Sequence, residues 1–212
     1  KGYIVISADH TYDANITVFE DGTYIDYSYN ILDNVPKEKF WDVRLPQVNT
    51  RAADISFMID KLQLMREHPV YNLIDFNKIG VFGMSTGGTT AIVSSWNDTR
   101  ISACLNLDGW FEPIPDYMIK SGINIPFCYI GQLQKNWDGA PYNESKLFSF
   151  HNNNFKESYI IEIEDTKHFD YSDTPQFTNI ARRIGVAGKM SSDAIRDTLN
   201  ARILNFFNRY LD

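Results

Sequence analysis

Short, mostly apolar runs, not alternating ones, punctuate this chain. Residues 3–8, 79–82, 101–107, 125–130 and 159–163 are each dominated by Ile, Val, Leu, Phe, Tyr, Cys and Ala. A strand with one wet face would alternate, so such runs predict strands buried on both faces of a parallel sheet. Helical spacing lies between and after them. Over residues 49–67 the positions Ala52, Ile55, Phe57, Met58, Ile59, Leu62 and Met65 fit an amphipathic helix, with Asn49 or Thr50 as cap and Pro69 beyond its end. Over residues 192–210, Ile195, Leu199, Ile203, Phe206, Phe207 and Tyr210 form a stripe of core positions under a Ser191/Ser192 cap. The small residues 89–95 suit a helix, and a shorter one is expected near 144–150. Residues 14–47 are polar, aromatic-rich and weakly periodic, and Asp21-Gly22 marks a turn between two short strands at 16–19 and 23–26. Strand and helix thus alternate through one α/β domain spanning residues 1–212. No internal repeat, low-complexity tract or linker interrupts it.

Composition narrows the class. The 212 residues suffice for a substantial core, and 43% hydrophobic with 14% aromatic residues reads as globular. A net charge of -7 without a Lys/Arg cluster argues against nucleic acid as a partner, since phosphate binding needs a basic face, and no patch suited to anionic membranes is evident. No apolar run approaches the roughly 18 residues of a membrane span, and no signal peptide is seen. The chain opens at Lys1 without a methionine, already inside a predicted strand, so an earlier segment is expected and an extracytoplasmic or membrane-anchored location stays open. Cys104 and Cys128 each fall in an apolar, strand-like run and are expected as buried thiols. Four histidines and two cysteines share no ligand spacing, so neither a metal nor another cofactor is expected. Asn15, Asn97 and Asn143 begin glycosylation sequons.

The chemistry centres on Gly83-Met84-Ser85-Thr86-Gly87, a G-x-S-x-G sequence between a strand-like run and a helix-compatible one. In a nucleophile elbow the serine sits on a turn so tight that the residues two before and two after it must be small. Gly83 and Gly87 meet that demand. A serine hydroxyl is a weak nucleophile at neutral pH and needs a base oriented by an acid; with this elbow the chain order is Ser, acid, His. His151 and His168 follow Ser85. His168 stands a few residues beyond the last predicted strand, where a loop can bring it over the sheet, whereas His151 has no such anchor. For the acid, Asp108 ends the strand after the elbow and Asp138 lies in a looser loop past the next one. A strand end fixes a carboxylate better. His10, in the loop after the first predicted strand, reads as a rim or structural histidine.

The set Gly83-Met-Ser-Thr-Gly-Gly88, Leu107-Asp-Gly-Trp110 and Lys167-His-Phe-Asp-Tyr171, after the opening Gly2-Tyr-Ile-Val-Ile6, resembles the platelet-activating-factor acetylhydrolase group of α/β-hydrolases, particularly its bacterial members. The resemblance covers residues 1 to about 171. It implies an α/β-hydrolase fold and a calcium-independent serine esterase acting on short or oxidised acyl esters, the sn-2 ester of phospholipids among them. It also selects Asp108 over Asp138, so the implied catalytic set is Ser85, Asp108 and His168. The Thr86 N–H is expected in the oxyanion hole, and Trp110, Phe111 and Phe169, which flank this set in sequence, are expected to line an acyl pocket. A cutinase- or polyesterase-like hydrolase would share the serine and histidine but take its acid from the next strand, and a non-catalytic protein on the same fold is the other alternative. In the family's strand order, one strand lies between the run 3–8 and the elbow strand. Its absence from this sequence leads us to expect a missing N-terminal segment, in the same protein or a second chain, that supplies this strand and the second oxyanion donor.

Overall fold

The computed structural model describes residues 2–27, 35–65, 67–137 and 142–212. The chain divides into two compact units, Lys1–Asp75 and Phe76–Asp212.

In the first unit, β1 (Ile16–Val18) and β2 (Tyr24–Asp26) form an antiparallel hairpin with Ile16 opposite Asp26 and Val18 opposite Tyr24. Its turn is the expected one. Gly22 takes a positive φ of 83°, and Asp21 Oδ1 accepts from the Thr23 amide at 2.9 Å. Helix α1 (Phe40–Leu64) begins well before residue 49. Pro46, the seventh helical residue, hides that start in the sequence, since a proline there removes one backbone bond and crowds the carbonyl four residues before it. Val48, Ala52 and Ile59 form its buried stripe. The loop after residue 8 is pinned to this helix: His10 Nδ1 lies 2.7 Å from Asp54 Oδ2, and Asp13 pairs with Arg51 one turn away. His10 is therefore structural.

The opening run is not a strand. Residues 3–8 enter no ladder, and Ile4, Val5 and Ile6 are 39%, 72% and 38% exposed. Apolar composition creates a demand for burial, but a strand exists only where a partner supplies its hydrogen bonds. Nothing among the described residues bears out the expected missing N-terminal segment.

The second unit holds a four-stranded parallel sheet in sequential order: β3 (Ile79–Met84), β4 (Ile101–Leu107), β5 (Phe127–Gly131) and β6 (Ser158–Glu162). The inner strands β4 and β5 are buried almost throughout, which is why they lack alternation; β3 and β6 are the edges of the sheet among the described residues and are partly covered. Each strand returns through a helix: α2 (Thr86–Asn97), α3 (Asp116–Ser121) and α4 (Tyr142–Asn153). Helix α3 escapes sequence reading because six residues cannot establish a period; it lies between Pro115 and Gly122, whose φ is 61°. Two single-turn helices, α5 (Thr174–Phe177) and α6 (Ile180–Arg183), precede α7 (Ser192–Leu211), which Ser191 caps by accepting from the Ala194 amide at 3.3 Å.

Helix α2 packs on β3 and β4, and α7 reaches the same strands, with Phe207 edge-on to Phe82 at 6.1 Å. Phe111, Phe127, Tyr129 and Phe150 interlock edge to face under β5, and each has no exposed surface. Each such ring contributes about 1.5–3 kcal/mol by leaving water. Cys104 and Cys128 are buried free thiols, and burial pushes both to about 12. Of the three sequons, Asn143 is buried on both sides of its amide, whereas Asn15 and Asn97 are exposed.

Candidate active site

Ser85 occupies the one-residue junction between β3 and α2, with φ 57° and ψ −121°. Positive φ costs a non-glycine residue energy, so the surroundings must hold it. They do so through the backbone: the Ser85 amide donates to Leu107 O at 3.1 Å, and Ser85 O accepts from the amides of Gly88 at 3.0 Å and Trp110 at 3.2 Å. The turn at Ser85 is thereby tied to the end of the neighbouring strand β4.

The small-residue demand is one-sided. A methyl group on Gly83 would come 2.3 Å from Gly87 O, an impossible approach, but one on Gly87 would meet nothing within 4 Å. The next glycine is the constrained one, because a methyl on Gly88 would strike the Asn106 amide at 2.6 Å, and one on Gly109 would come within 1.8 Å of the same group. Asn106, wholly buried in β4, therefore fills the space that these two glycines leave. Sequence reading assigned no part to it.

Asp108 follows directly on β4 and also has positive φ, 43°. Its amide reaches Ile130 O at 2.7 Å, and its side chain has no exposed surface. A buried carboxylate needs donors on both oxygens. Oδ1 accepts from the Gln132 amide at 2.9 Å, the Tyr129 hydroxyl at 3.0 Å and the Trp137 indole at 3.3 Å. Oδ2 accepts from Gln132 Nε2 at 2.9 Å and faces His168 Nδ1 at 2.7 Å. A carboxylate only accepts, so Nδ1 carries a proton, and in the neutral imidazole Nε2 is the nitrogen with the lone pair.

His168 opens a 3-10 turn, His168–Tyr171, after β6. Asp170, 2% exposed, accepts from the amides of Lys167 and Gly188 and pairs with Arg182 at 3.4 Å. Thr166 bonds Ile163 O at 2.7 Å and the Tyr171 hydroxyl at 2.8 Å. The turn is thus fixed on both sides of the imidazole, which stays 29% exposed with the Trp137 ring edge-on at 5.0 Å. His151 lies elsewhere, bonded to Ser158 Oγ at 2.6 Å.

Asp108 and His168 are in contact. Ser85 stands at the adjoining strand end, one residue beyond the Met84–Leu107 pair, and its hydroxyl makes no hydrogen bond among the described residues. Asp138 lies outside the described residues. Thr86 is the first residue of α2, so its N–H is among those that helix geometry leaves without an intrahelical acceptor. Trp110 is half-buried and bonds Glu112 at 3.1 Å, while Phe169 is 43% exposed beside His168 at 6.0 Å. Phe111 is different: fully buried against Phe127, Tyr129 and Phe150, it is a core residue and not an open pocket wall. Gln132, Tyr129 and Trp137, which complete the surroundings of Asp108, are missed by sequence reading. The only available signal was their place at and just past the end of a predicted strand.

The chain matches the family described as platelet-activating factor acetylhydrolase, isoform II, over residues 1–212. It is 26% identical over 216 residues to a probable 1-alkyl-2-acetylglycerophosphocholine esterase of Arthroderma benhamiae, covering 99% of this chain and 52% of that protein. It is 24% identical over 233 residues to a platelet-activating factor acetylhydrolase of Cavia porcellus, covering 99% and 51%. The chain therefore spans about half the length of these curated relatives. Among solved structures, ferulic acid esterase from Streptomyces cinnamoneus matches with a TM-score of 0.75 at 24% identity, over 96% of this chain and 57% of that one. An acylaminoacyl peptidase of Pyrococcus horikoshii matches at 0.57 and 15%, over 91% and 33%. These two likenesses establish the α/β-hydrolase fold.

Proposed function

Since this chain belongs to the platelet-activating factor acetylhydrolase, isoform II, family, we propose that it is a serine esterase in which Ser85, His168 and Asp108 act as a catalytic triad. The observation that carries this reading is the 2.7 Å contact of His168 Nδ1 with a buried, fully hydrogen-bonded Asp108, beside a serine held at positive φ on the next strand end. In the reaction Ser85 Oγ attacks the ester carbonyl while His168 Nε2 takes the hydroxyl proton. The tetrahedral oxyanion is met by the Thr86 N–H at the start of α2, where the helix dipole also favours negative charge. His168 then protonates the departing alcohol, leaving an acyl-enzyme on Ser85. Water, deprotonated by the same imidazole, releases the acid and restores the serine. Asp108 holds the Nδ1–H tautomer and stabilises the imidazolium throughout.

The substrate class we propose is short or oxidised acyl esters, including the sn-2 ester of phospholipids. Support comes from the names of two relatives, both of which denote removal of a 2-acetyl group or hydrolysis of platelet-activating factor. Trp110 and Phe169 flank the acid and base and are proposed as acyl-pocket residues; Phe111 is not.

The cutinase-like alternative takes its acid from the strand after β4. At the end of β5 stands Gln132, an amide that donates to Asp108, which favours Asp108 as the acid. Hydrolysis of nitrophenyl esters of increasing chain length by the full-length protein tests the proposal. Fastest turnover of acetyl and other short esters is expected, and turnover that rises steadily towards long chains contradicts the proposed substrate class. A non-catalytic protein would turn over none of them.

A further inference from the structure

One backbone amide fixes the direction of a hydrogen-bond chain that ends on Asp108. The Phe111 N–H can only donate, and it does so to Asn143 Oδ1 at 2.7 Å. Asn143 Nδ2 is then the donor on the other side, reaching Gln134 Oε1 at 3.0 Å. Gln134 Nε2 must donate in turn, to the Tyr129 hydroxyl oxygen at 2.7 Å. The single phenolic proton is left for Asp108 Oδ1 at 3.0 Å. Each amide has one accepting and one donating end, so no link can reverse unless all do, and the first cannot. All the side chains are buried: Tyr129 and Asp108 are 0% exposed, Gln134 2% and Asn143 3%. In such surroundings aligned bonds polarise one another, which strengthens the last donor.

We propose that Tyr129, Gln134 and Asn143 are positioning residues that act through Asp108, turning its carboxylate so that Oδ2 faces His168 and drawing charge density away from the imidazole. This rests on Asp108 being the acid of the proposed esterase. Sequence offers no hint of it, because the members come from β5, the turn after β5, and α4. Burial first, and then the neighbouring Asp108 charge, hold the Tyr129 hydroxyl well above the ordinary tyrosine range, so it remains a donor. Tyr171, within electrostatic reach of Asp108, is likewise pushed up, chiefly by burial. Glu162 accepts from the Gln134 amide at 2.7 Å and anchors that residue from β6. Besides Asp108, charged groups around this turn include Asp170, on the His168 turn itself and paired with Arg182, and Glu162, on β6 against the Gln134 amide.

The test follows the His168 ring protons by NMR as pH varies in the full-length protein, which requires no turnover. Tyr129→Phe removes one donor from the carboxylate and leaves it more negative, so the His168 midpoint is expected to rise by about half a pH unit. Asn143→Leu is expected to raise it less, and to add nothing in the Tyr129→Phe background, because its effect passes through the phenol. If Asn143→Leu gives no folded protein, Gln134→Met interrupts the same chain one link nearer the acid. The acid limb of kcat/KM should move up with the midpoint while KM holds within about twofold. A midpoint unmoved by Tyr129→Phe, or an Asn143 effect undiminished without the phenol, overturns the proposal. Should Ser85→Ala keep full hydrolysis, the proposed function fails, yet the His168 titration still decides the hydrogen-bond chain.

Discussion

His168 Nδ1 lies 2.7 Å from Asp108 Oδ2, and the two differ sharply in exposure: the carboxylate has none, while the imidazole retains 29%. In the proposed triad, an acid sealed from water and a base open to it divide the work of proton transfer to an incoming substrate. Asp108→Asn keeps the shape but offers Nδ1 a donor in place of an acceptor. Turnover is expected to fall by about 10⁴ because the tautomer is wrong. Steady-state kinetics on a short nitrophenyl ester checks this, and a loss under tenfold would remove Asp108 from the mechanism.

Ser85→Ala and His168→Ala should each lower turnover by about 10⁴–10⁶, and the double variant should be scarcely worse, because the residues act as a unit. Losses that multiply would mean independent roles. The thermal midpoint of Ser85→Ala should stay near that of the parent, since alanine meets the same positive φ and the hydroxyl holds no hydrogen bond within the described residues.

The elbow glycines should respond unequally. Gly83→Ala drives a methyl into Gly87 O and is expected to cost about 1–3 kcal/mol, with loss of activity as the elbow opens. Gly87→Ala finds open space within helix α2 and is expected to be neutral or to stabilise by about 0.5–1 kcal/mol. Chemical denaturation of both variants decides it; equal damage would contradict the one-sided packing.

The two thiols carry a pH signature. Burial holds Cys104 and Cys128 near 12 in the folded chain, against about 8.5 for a free thiol. The folded state therefore keeps protons that the unfolded state releases, so this part of the stability is intact below about pH 8.5 and declines as pH rises towards 12. Each thiol removes about 1.4 kcal/mol per pH unit across that window. A thiol-reactive dye at pH 8 should label neither cysteine until denaturant is added; rapid labelling of the native protein would show an accessible thiolate.

Much of the second unit is legible in the sequence because its signals are local. The run 101–107 coincides with β4, and the stripe from Ile195 to Tyr210 lies within α7. The family and the fold also follow from motifs contiguous in the chain. What fails is what depends on partners. Residues 3–8 have strand composition and no ladder, Pro46 masks the first turns of α1, and Phe111, apolar and three residues after Asp108, turns inward to the core. The surroundings of Asp108 are tertiary in the same sense: Tyr129, Gln132 and Trp137 converge on it from segments with no motif of their own.

The central claim is that Ser85 is a nucleophile activated by His168, and reaction with a fluorophosphonate probe tests it most directly. The full-length protein should gain one adduct, mapped by mass spectrometry to Ser85. Labelling should vanish in Ser85→Ala and slow by orders of magnitude in His168→Ala. An unlabelled Ser85 in the folded protein, or labelling that proceeds at the same rate without His168, would contradict the account.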